Sequence, residues 1–265
     1  MVYSCAYFPN EESELEEAQQ AKIDRLIEKA QLKESDTVLE IGCGWGAFAI
    51  TAAKRIGCHV TGITLSQEQK TYAERRIAEE GLEDLVSIEL RDYREVTGSF
   101  DKIVSIEMLE AVGHRYFASF FATLERVLKP NGLVALQVIT FPDARYDSYR
   151  RGADWIQKYI FPGGICPSLT ALSESMKSNS EFVVEELENI GVHYARTLEI
   201  WRQRFFEKTD RVKELGFDSR FIRIWEYYLC YCEAGFRTRT IGTLQLVLTR
   251  PKNDDLPNFE KIQND

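Results

Sequence analysis

The run Val38-Leu39-Glu40-Ile41-Gly42-Cys43-Gly44-Trp45-Gly46 places a tight glycine turn behind an apolar segment. Glycine has no Cβ, so such a turn lets backbone pass close to a ligand, and between a strand and a helix it suits a nucleotide or nucleoside. A dinucleotide would need an acidic residue near the end of the second strand to hold its ribose hydroxyls. That position carries Thr61-Gly62-Ile63-Thr64 instead. Glu40, just before the glycines, would repel a pyrophosphate and suits the amino-acid end of S-adenosylmethionine. A glycine turn alone only packs a strand against a helix, so the reading rests on the elements around it.

Ser13 with Glu16 three residues on reads as a capping box. Leu15, Ala18, Ile23, Leu26, Ile27 and Ala30 then recur at roughly helical spacing, which predicts an amphipathic helix over 14–31. Thr37–Ile41, His59–Ile63, Val86–Leu90, Lys102–Ile106 and Leu133–Thr140 read as strands, with helices over 46–55, 67–80 and 115–129 and a stop at Pro130-Asn131-Gly132. This alternation is the βαβ rhythm of a doubly wound, mostly parallel α/β sheet. The rhythm breaks after Phe141, where Pro142, an Arg-rich run, Trp155 and Phe161-Pro162-Gly163-Gly164 carry no strand pattern. Residues 142–178 are read as a lid over the ligand. A strand over Phe182–Asn189, an aromatic-rich helical stretch over 197–233 and a last strand over Thr243–Thr249, ended by Arg250-Pro251, complete a seven-stranded sheet. The expectation is one domain over 1–251 of Rossmann-like, class I methyltransferase architecture, followed by a tail over 252–265.

The chain has 265 residues, a formal net charge of −9 and a pI near 5.1. Phosphate neutralisation dominates affinity for nucleic acid, so this balance argues against a nucleic-acid partner. Arg145, Arg150, Arg151 and Lys158 nevertheless lie close together, and Arg237 and Arg239 form a second group, which leaves contact with a membrane surface open. Each cluster alone reads as a solvated face. The longest apolar stretches, such as Leu133–Phe141 with Gln137 inside it, stop well short of the roughly 20 residues that span a bilayer. No secretory or transit signal is visible behind Met1, so the expected location is cytoplasmic, with peripheral membrane contact. Cys5, Cys43, Cys58, Cys166, Cys230 and Cys232 show no CxxC spacing, which predicts reduced thiols and no metal site.

The glycine loop occurs together with Tyr3-Ser4-Cys5-Ala6-Tyr7-Phe8, Val60-Thr61-Gly62-Ile63-Thr64-Leu65-Ser66-Gln67-Glu68-Gln69, Phe161-Pro162-Gly163-Gly164 and His193-Tyr194. This set, in this order from Tyr3 to Pro251, resembles the cyclopropane fatty acid synthase family of S-adenosylmethionine-dependent methyltransferases, which includes the mycolic acid cyclopropane synthases. The resemblance implies cofactor contacts at Tyr3 and Ser4, over 38–46 (Glu40, Gly42, Cys43, Gly44, Trp45 and Gly46), at Thr64, Leu65, Ser66 and Gln69, and at Asp92, Tyr93 and Arg94. Thr64, Ser66 and Gln69 can hydrogen-bond a ribose or carboxylate without adding charge, and Tyr93 offers adenine an aromatic edge. Taken singly, any of these polar residues reads as a cap or a surface group.

By the same resemblance, the π electrons of a cis-alkene in an unsaturated acyl lipid attack the sulfonium methyl, and loss of a proton from the new methyl closes a three-membered ring. The proton goes to a bicarbonate ion, which the family holds through positions matching Cys5, Glu110, Gln137, Ile139 and Tyr194. Gln137 stands where bacterial and mycobacterial relatives have histidine, and its amide can still donate and accept a hydrogen bond. Glu110 beside an anion is expected to have a raised pKa. The cation needs electron-rich walls, for which Trp155, Tyr159, Phe161, Trp201, Phe205, Tyr227 and Tyr228 are candidates, most of them reading better as core. Amine N-methyltransferases resembling this family carry a glutamate, two residues, then a glutamate followed by histidine. Here Glu107 and Glu110 are present, Ala111 replaces the histidine, and His114 lies three positions further on. His114 is read as a capping or packing residue. Methyl-branched fatty acid formation and amine N-methylation are the alternatives within the fold; an inactive cofactor-binding module is the alternative of another class, since family members usually carry helical sequence ahead of the motif that begins here at Tyr3. A homodimer is among the expected partners.

Overall fold

The computed structural model describes residues 1–256, so most of the expected tail lies outside the described residues. The elements are α1 (Leu15–Lys29), β1 (Thr37–Ile41), α2 (Ala47–Ile56), β2 (His59–Thr64), α3 (Gln67–Glu79), β3 (Val86–Leu90), β4 (Phe100–Ile106), α4 (Phe117–Val127) and β5 (Leu128–Thr140). They continue with α5 (Asp143–Tyr149), α6 (Trp155–Tyr159), α7 (Leu169–Asn179), β6 (Val183–Asn189), α8 (Gly191–Glu207), α9 (Thr209–Glu214), α10 (Ser219–Arg237) and β7 (Gly242–Thr249). The seven strands form one sheet in the order β3-β2-β1-β4-β5-β7-β6, in which β7 runs antiparallel to both its neighbours.

Strands covered on both faces must be apolar on both, and alternating side chains then feed two cores. Leu39, Ile41, Ile103, Val134, Leu136 and Val138 belong to one, where Phe117, Phe120, Phe121 and Leu124 of α4 pack on them. Val38, Val104 and Ala135 belong to the other and meet Phe48, Ala49 and Ala53 of α2 with Leu26 and Ile27 of α1. The chain leaves β1 toward β2 and later returns to β4 on the other side of β1. Connections therefore diverge between β1 and β4, and the crevice at their carboxyl ends is the place where such sheets take ligands. The glycine turn follows β1, Glu107 and Glu110 follow β4, and Gln137 and Ile139 lie near the end of β5.

Two local features differ from the sequence pattern. The N-cap of α1 is Glu14, whose N–H donates to Glu17 (3.3 Å), whereas the Ser13 hydroxyl donates to Asn10 (3.0 Å). Asn10 captures the serine, and the Glu-rich string lets the cap slide one residue. Likewise α4 ends at Val127, ahead of Pro130-Asn131-Gly132, and these three residues lie inside β5. Phe100 pairs with Leu128 and Lys102 with Leu133, so the extra residues form an irregular excursion within the strand. The lid region holds α5, α6 and α7, and the late helical stretch holds α8, α9 and α10. All six cysteines are free thiols.

Phe120 is 0% exposed and lies edge-on to Tyr93 and Phe121. Phe120→Ala is expected to cost about 3–5 kcal/mol, the range for emptying a buried phenylalanine site. Denaturant unfolding should show a lower midpoint with an unchanged slope.

Candidate active site

A cavity of about 570 Å³ opens at the carboxyl ends of β1 and β4. Tyr3, Ser4, Lys22, Glu40, Gly42, Cys43, Gly44 and Trp45 line part of it. Phe141, Tyr149, Phe161, Tyr228, Tyr231 and Phe236 supply aromatic wall, and Glu107, Glu110, Ile139 and Tyr194 complete the lining. Gly42 has φ +81°, and a Cβ there would lie 2.6 Å from Met108 Cγ; at Gly44, with φ +53°, it would lie 3.5 Å from the Tyr3 ring. Both backbone sign and space therefore demand glycine at 42.

Glu40 is 2% exposed, and its Oε2 has no hydrogen-bond partner. Burial pushes its pKa up to about 8, against a backbone hydrogen bond from Ala49 and the charge of Lys22. An unpartnered carboxylate oxygen beside a glycine turn fits the ammonium of the methionine part of S-adenosylmethionine, and Lys22 offers a cation for the carboxylate. Lys22 is 1% exposed, and its Nζ donates to the Ser4 hydroxyl (2.7 Å). Burial lowers its pKa, opposed by Glu107, Cys5 and Glu40. Gln19 Nε2 donates to the Ser4 carbonyl (2.9 Å), so α1 pins the segment Tyr3-Ser4-Cys5 against the cavity. Gln19 and Lys22 were not singled out in the sequence, although both are polar residues that fall within the apolar stripe of α1, at helical spacing with Leu15 and Leu26.

Four predicted cofactor residues, Thr64, Leu65, Ser66 and Gln69, lie outside the lining, and Gln69 links them to it through Tyr3. Thr64 Oγ1 donates to Gln69 Oε1 (2.7 Å), and Gln69 Nε2 donates to the Tyr3 hydroxyl (3.2 Å). Ser66 caps α3 by accepting from the Gln69 N–H, and the Leu65 side chain is exposed. Gly46 is the N-cap of α2. Asp92, Tyr93 and Arg94 are not brought into the lining: Arg94 pairs with Asp92 (2.6 Å), and the Tyr93 hydroxyl meets Ser119 (3.0 Å). His114 bonds the Tyr146 hydroxyl (2.8 Å) in a packing role.

The proton-handling residues converge on a side chain that the sequence reading had not placed among them. Glu107 Oε1 accepts from the Cys5 N–H (2.9 Å) and from Gln137 Nε2 (2.8 Å), and its Oε2 accepts from the Tyr194 hydroxyl (2.8 Å). Burial raises the Glu107 pKa, while these hydrogen bonds and Lys22 oppose the rise. Glu110 Oε1 accepts from the Ile139 N–H (2.5 Å), and Oε2 is buried without a partner. Its pKa is pushed up to about 8 by burial first and then by Glu107. The donors that the resemblance assigns to bicarbonate, on Cys5, Gln137, Ile139 and Tyr194, are thus all engaged by the chain's own carboxylates. Bicarbonate does not fit this site as it is built, and no step is routed through it.

Of the aromatic residues proposed as cation walls, Phe161 and Tyr228 line the cavity. Trp155 packs on Tyr159 and Tyr227, and Phe205 on Trp225. Trp201 packs on Tyr194. Tyr149 stacks on Phe141 at 4.0 Å. The Ile165 N–H donates to the Glu110 carbonyl (2.7 Å), tying the lid to the segment that carries both carboxylates.

The strand order, the reversed β7 and the glycine turn after β1 define a class I methyltransferase fold. The mycolic acid cyclopropane synthetase family matches residues 1–246, and the chain belongs to that family. It is 44% identical over 94% of its length to the tuberculostearic acid methyltransferase of Mycobacterium tuberculosis, covering 60% of that protein. It is 40% identical, again over 94% of its length, to the cyclopropane-fatty-acyl-phospholipid synthase of Escherichia coli K12, covering 62% of it. The chain therefore spans about 60% of the length of these curated relatives. Among solved structures, a cyclopropane synthase of Mycobacterium tuberculosis superposes with a TM-score of 0.87 at 31% identity, covering 94% of this chain and 90% of that one. A mycolic acid cyclopropane synthase complexed with SAH and CTAB gives 0.87 at 30% identity with the same coverage.

A carboxyl whose pKa rises from 4.5 in the unfolded chain to about 8 in the fold favours its protonated form there. Its contribution to stability is complete below the unfolded value and is lost as pH rises through the folded one. The thermal midpoint of the ligand-free protein should therefore fall between pH 5 and pH 8. Glu110→Gln, neutral at every pH, should flatten that fall, and an unchanged slope would contradict the assignment.

Proposed function

We propose that this chain is an S-adenosylmethionine-dependent methyltransferase that adds a methylene group across the cis double bond of an unsaturated acyl chain carried by a phospholipid. When bound, S-adenosylmethionine supplies an electrophilic sulfonium methyl, which the alkene's π electrons capture to leave a carbocation on the acyl chain. The observation that carries the reading is that two half-buried carboxylates, Glu107 and Glu110, share one cavity with the glycine turn and an aromatic wall. Water would quench a carbocation, so the residues around it must exclude solvent and stabilise positive charge. Tyr149, Phe161, Tyr228, Tyr231 and Phe236 line the cavity, and Glu107 and Glu110 offer it negative charge or a place for a proton.

The likeness to the Escherichia coli cyclopropane-fatty-acyl-phospholipid synthase supports ring closure. The likeness to the mycobacterial tuberculostearic acid methyltransferase supports a second reading, a branched product from the same cation. Loss of a proton from the added methyl closes the ring; a 1,2-hydride shift that moves the cation to the carbon bearing that methyl, followed by loss of a proton from the methyl, leaves a methylene branch. Amine N-methylation has less support, because Ala111 leaves no histidine beside Glu110. No helix among the described residues is long and apolar enough to cross a membrane. The lid and α10 expose Tyr159, Phe161, Tyr227 and Tyr231, with Lys158 and Arg151 exposed nearby in sequence, which supports peripheral contact with a lipid surface.

The test is incubation with methyl-labelled S-adenosylmethionine and vesicles of cis-unsaturated phospholipid, followed by NMR of the extracted fatty acids. Label in cyclopropane ring signals is the expected result, and label confined to a branch would select the second reading. Lipid without label, from protein shown to bind the cofactor, would overturn both.

A further inference from the structure

Glu107 has φ +50°, in the left-handed region that residues with a Cβ occupy at a cost in free energy. Glycine would take this backbone conformation readily. Strain of this kind persists where the surroundings hold it, and it gathers at functional sites. Here the surroundings are three donors. The Cys5 N–H and Gln137 Nε2 fill the two in-plane lone pairs of Oε1, and the Tyr194 hydroxyl takes one of those on Oε2. Oε2 therefore keeps a lone pair within a cavity-lining side chain.

The amide of Gln137 is itself held in one orientation. Gln245, opposite Gln137 in the register of β5 and β7, donates its Nε2 to Gln137 Oε1 (3.0 Å). Both side chains are 0% exposed. With its oxygen engaged by Gln245, Gln137 can only turn its NH2 group toward Glu107, the side a carboxylate requires.

We propose that Glu107 is the resident proton acceptor of the reaction, occupying the place of a bicarbonate ion, and that Gln245 positions it through Gln137. The proposal rests on the alkene-methylation reading above. In the step concerned, a C–H bond of the added methyl breaks and its electron pair forms the closing C–C bond to the cationic carbon. The proton passes to Oε2 of Glu107. Tyr194 keeps its own proton and holds the carboxylate in place, since its burial and the neighbouring Glu107 raise its pKa well above the usual phenol value. Glu107 acts on the reacting atoms; Gln245 is a positioning residue.

The experiment compares wild type, Glu107→Gly and Gln245→Leu on dioleoylphosphatidylglycerol vesicles with methyl-labelled S-adenosylmethionine, in carbonate-free buffer and with added bicarbonate. Binding of ¹³C-bicarbonate to each ligand-free protein is followed in parallel by NMR. Wild type should turn over within about twofold of the same rate in both buffers and bind no bicarbonate. Glu107→Gly, whose backbone suits the left-handed site, should fold, lose roughly 10²–10⁴-fold in rate, bind bicarbonate and regain at least about tenfold when the ion is supplied. Gln245→Leu should lower kcat about tenfold with little change in KM. It should also shift the carboxylate infrared band of the ligand-free protein that Glu107→Gly removes. Wild-type activity that depends on bicarbonate, or bicarbonate bound by wild type, would overturn the assignment of Glu107. An unmoved band and unchanged kcat in Gln245→Leu would overturn the role of Gln245. Unlabelled lipid in every arm would overturn the methylation reading, while the bicarbonate-binding measurement would still decide which group holds the anion's place.

Discussion

The arrangement of the cavity turns on the cost of partly desolvating the Glu107 carboxylate. A buried carboxylate without partners is among the most expensive things a fold can contain, and donors and a nearby cation are what make it tolerable. Here the donors come from residues 102, 30 and 87 positions away in the chain, on the N-terminal segment, β5 and α8. Lys22 adds its charge from α1. No local stretch could assemble this group, so the sheet order that brings β4 beside β5 and closes both ends of the chain around them is what the site requires.

The same requirement explains why the first residues of the described chain form part of the cavity wall. Ser4 is held twice by α1, through Gln19 and Lys22, and the N–H of the next residue is spent on Glu107. On the opposite side, the lid is fixed by the Ile165 N–H to the carbonyl of Glu110, and Gln157 closes the lid's own glycine turn through the Gly164 carbonyl. Cofactor end, carboxylates and lid are therefore parts of one hydrogen-bonded unit rather than neighbouring features.

The sheet was legible in the sequence because its signals are local. Apolar runs of strand length, helical periodicity and the glycine turn fixed every strand to within a few residues, and Glu40 stood out as a carboxylate beside a turn meant for a ligand. The rest depended on tertiary geometry. Cys5, Glu110, Gln137, Ile139 and Tyr194 entered through resemblance, since nothing in their own spacing brings five distant positions together. Glu107 was visible only as half of a pair typical of amine chemistry, because neither its left-handed backbone nor its three donors can be read from neighbouring residues. Gln245 looked like one polar residue in an alternating strand. Gln19 and Lys22 were also missed, although they carry a local signal, being polar residues where the helix stripe asked for apolar ones. Near the ends of elements competition decided the outcome: Asn10 took the Ser13 hydroxyl, and pairing of Leu128 and Leu133 with β4 left Pro130-Asn131-Gly132 as an unpaired excursion within β5.

The backbone at Glu107 has a consequence for how such proteins diverge. Glutamate and glycine codons differ by a single base, and a chain already bent into glycine's preferred conformation would accept that exchange without rebuilding the loop. One point mutation would vacate the pocket and leave its donors aimed at whatever small anion the cell supplies. On the assignment of Glu107 proposed above, two chains of this scaffold would then differ in whether a side chain or a dissolved anion takes the proton, with the backbone of the loop unchanged.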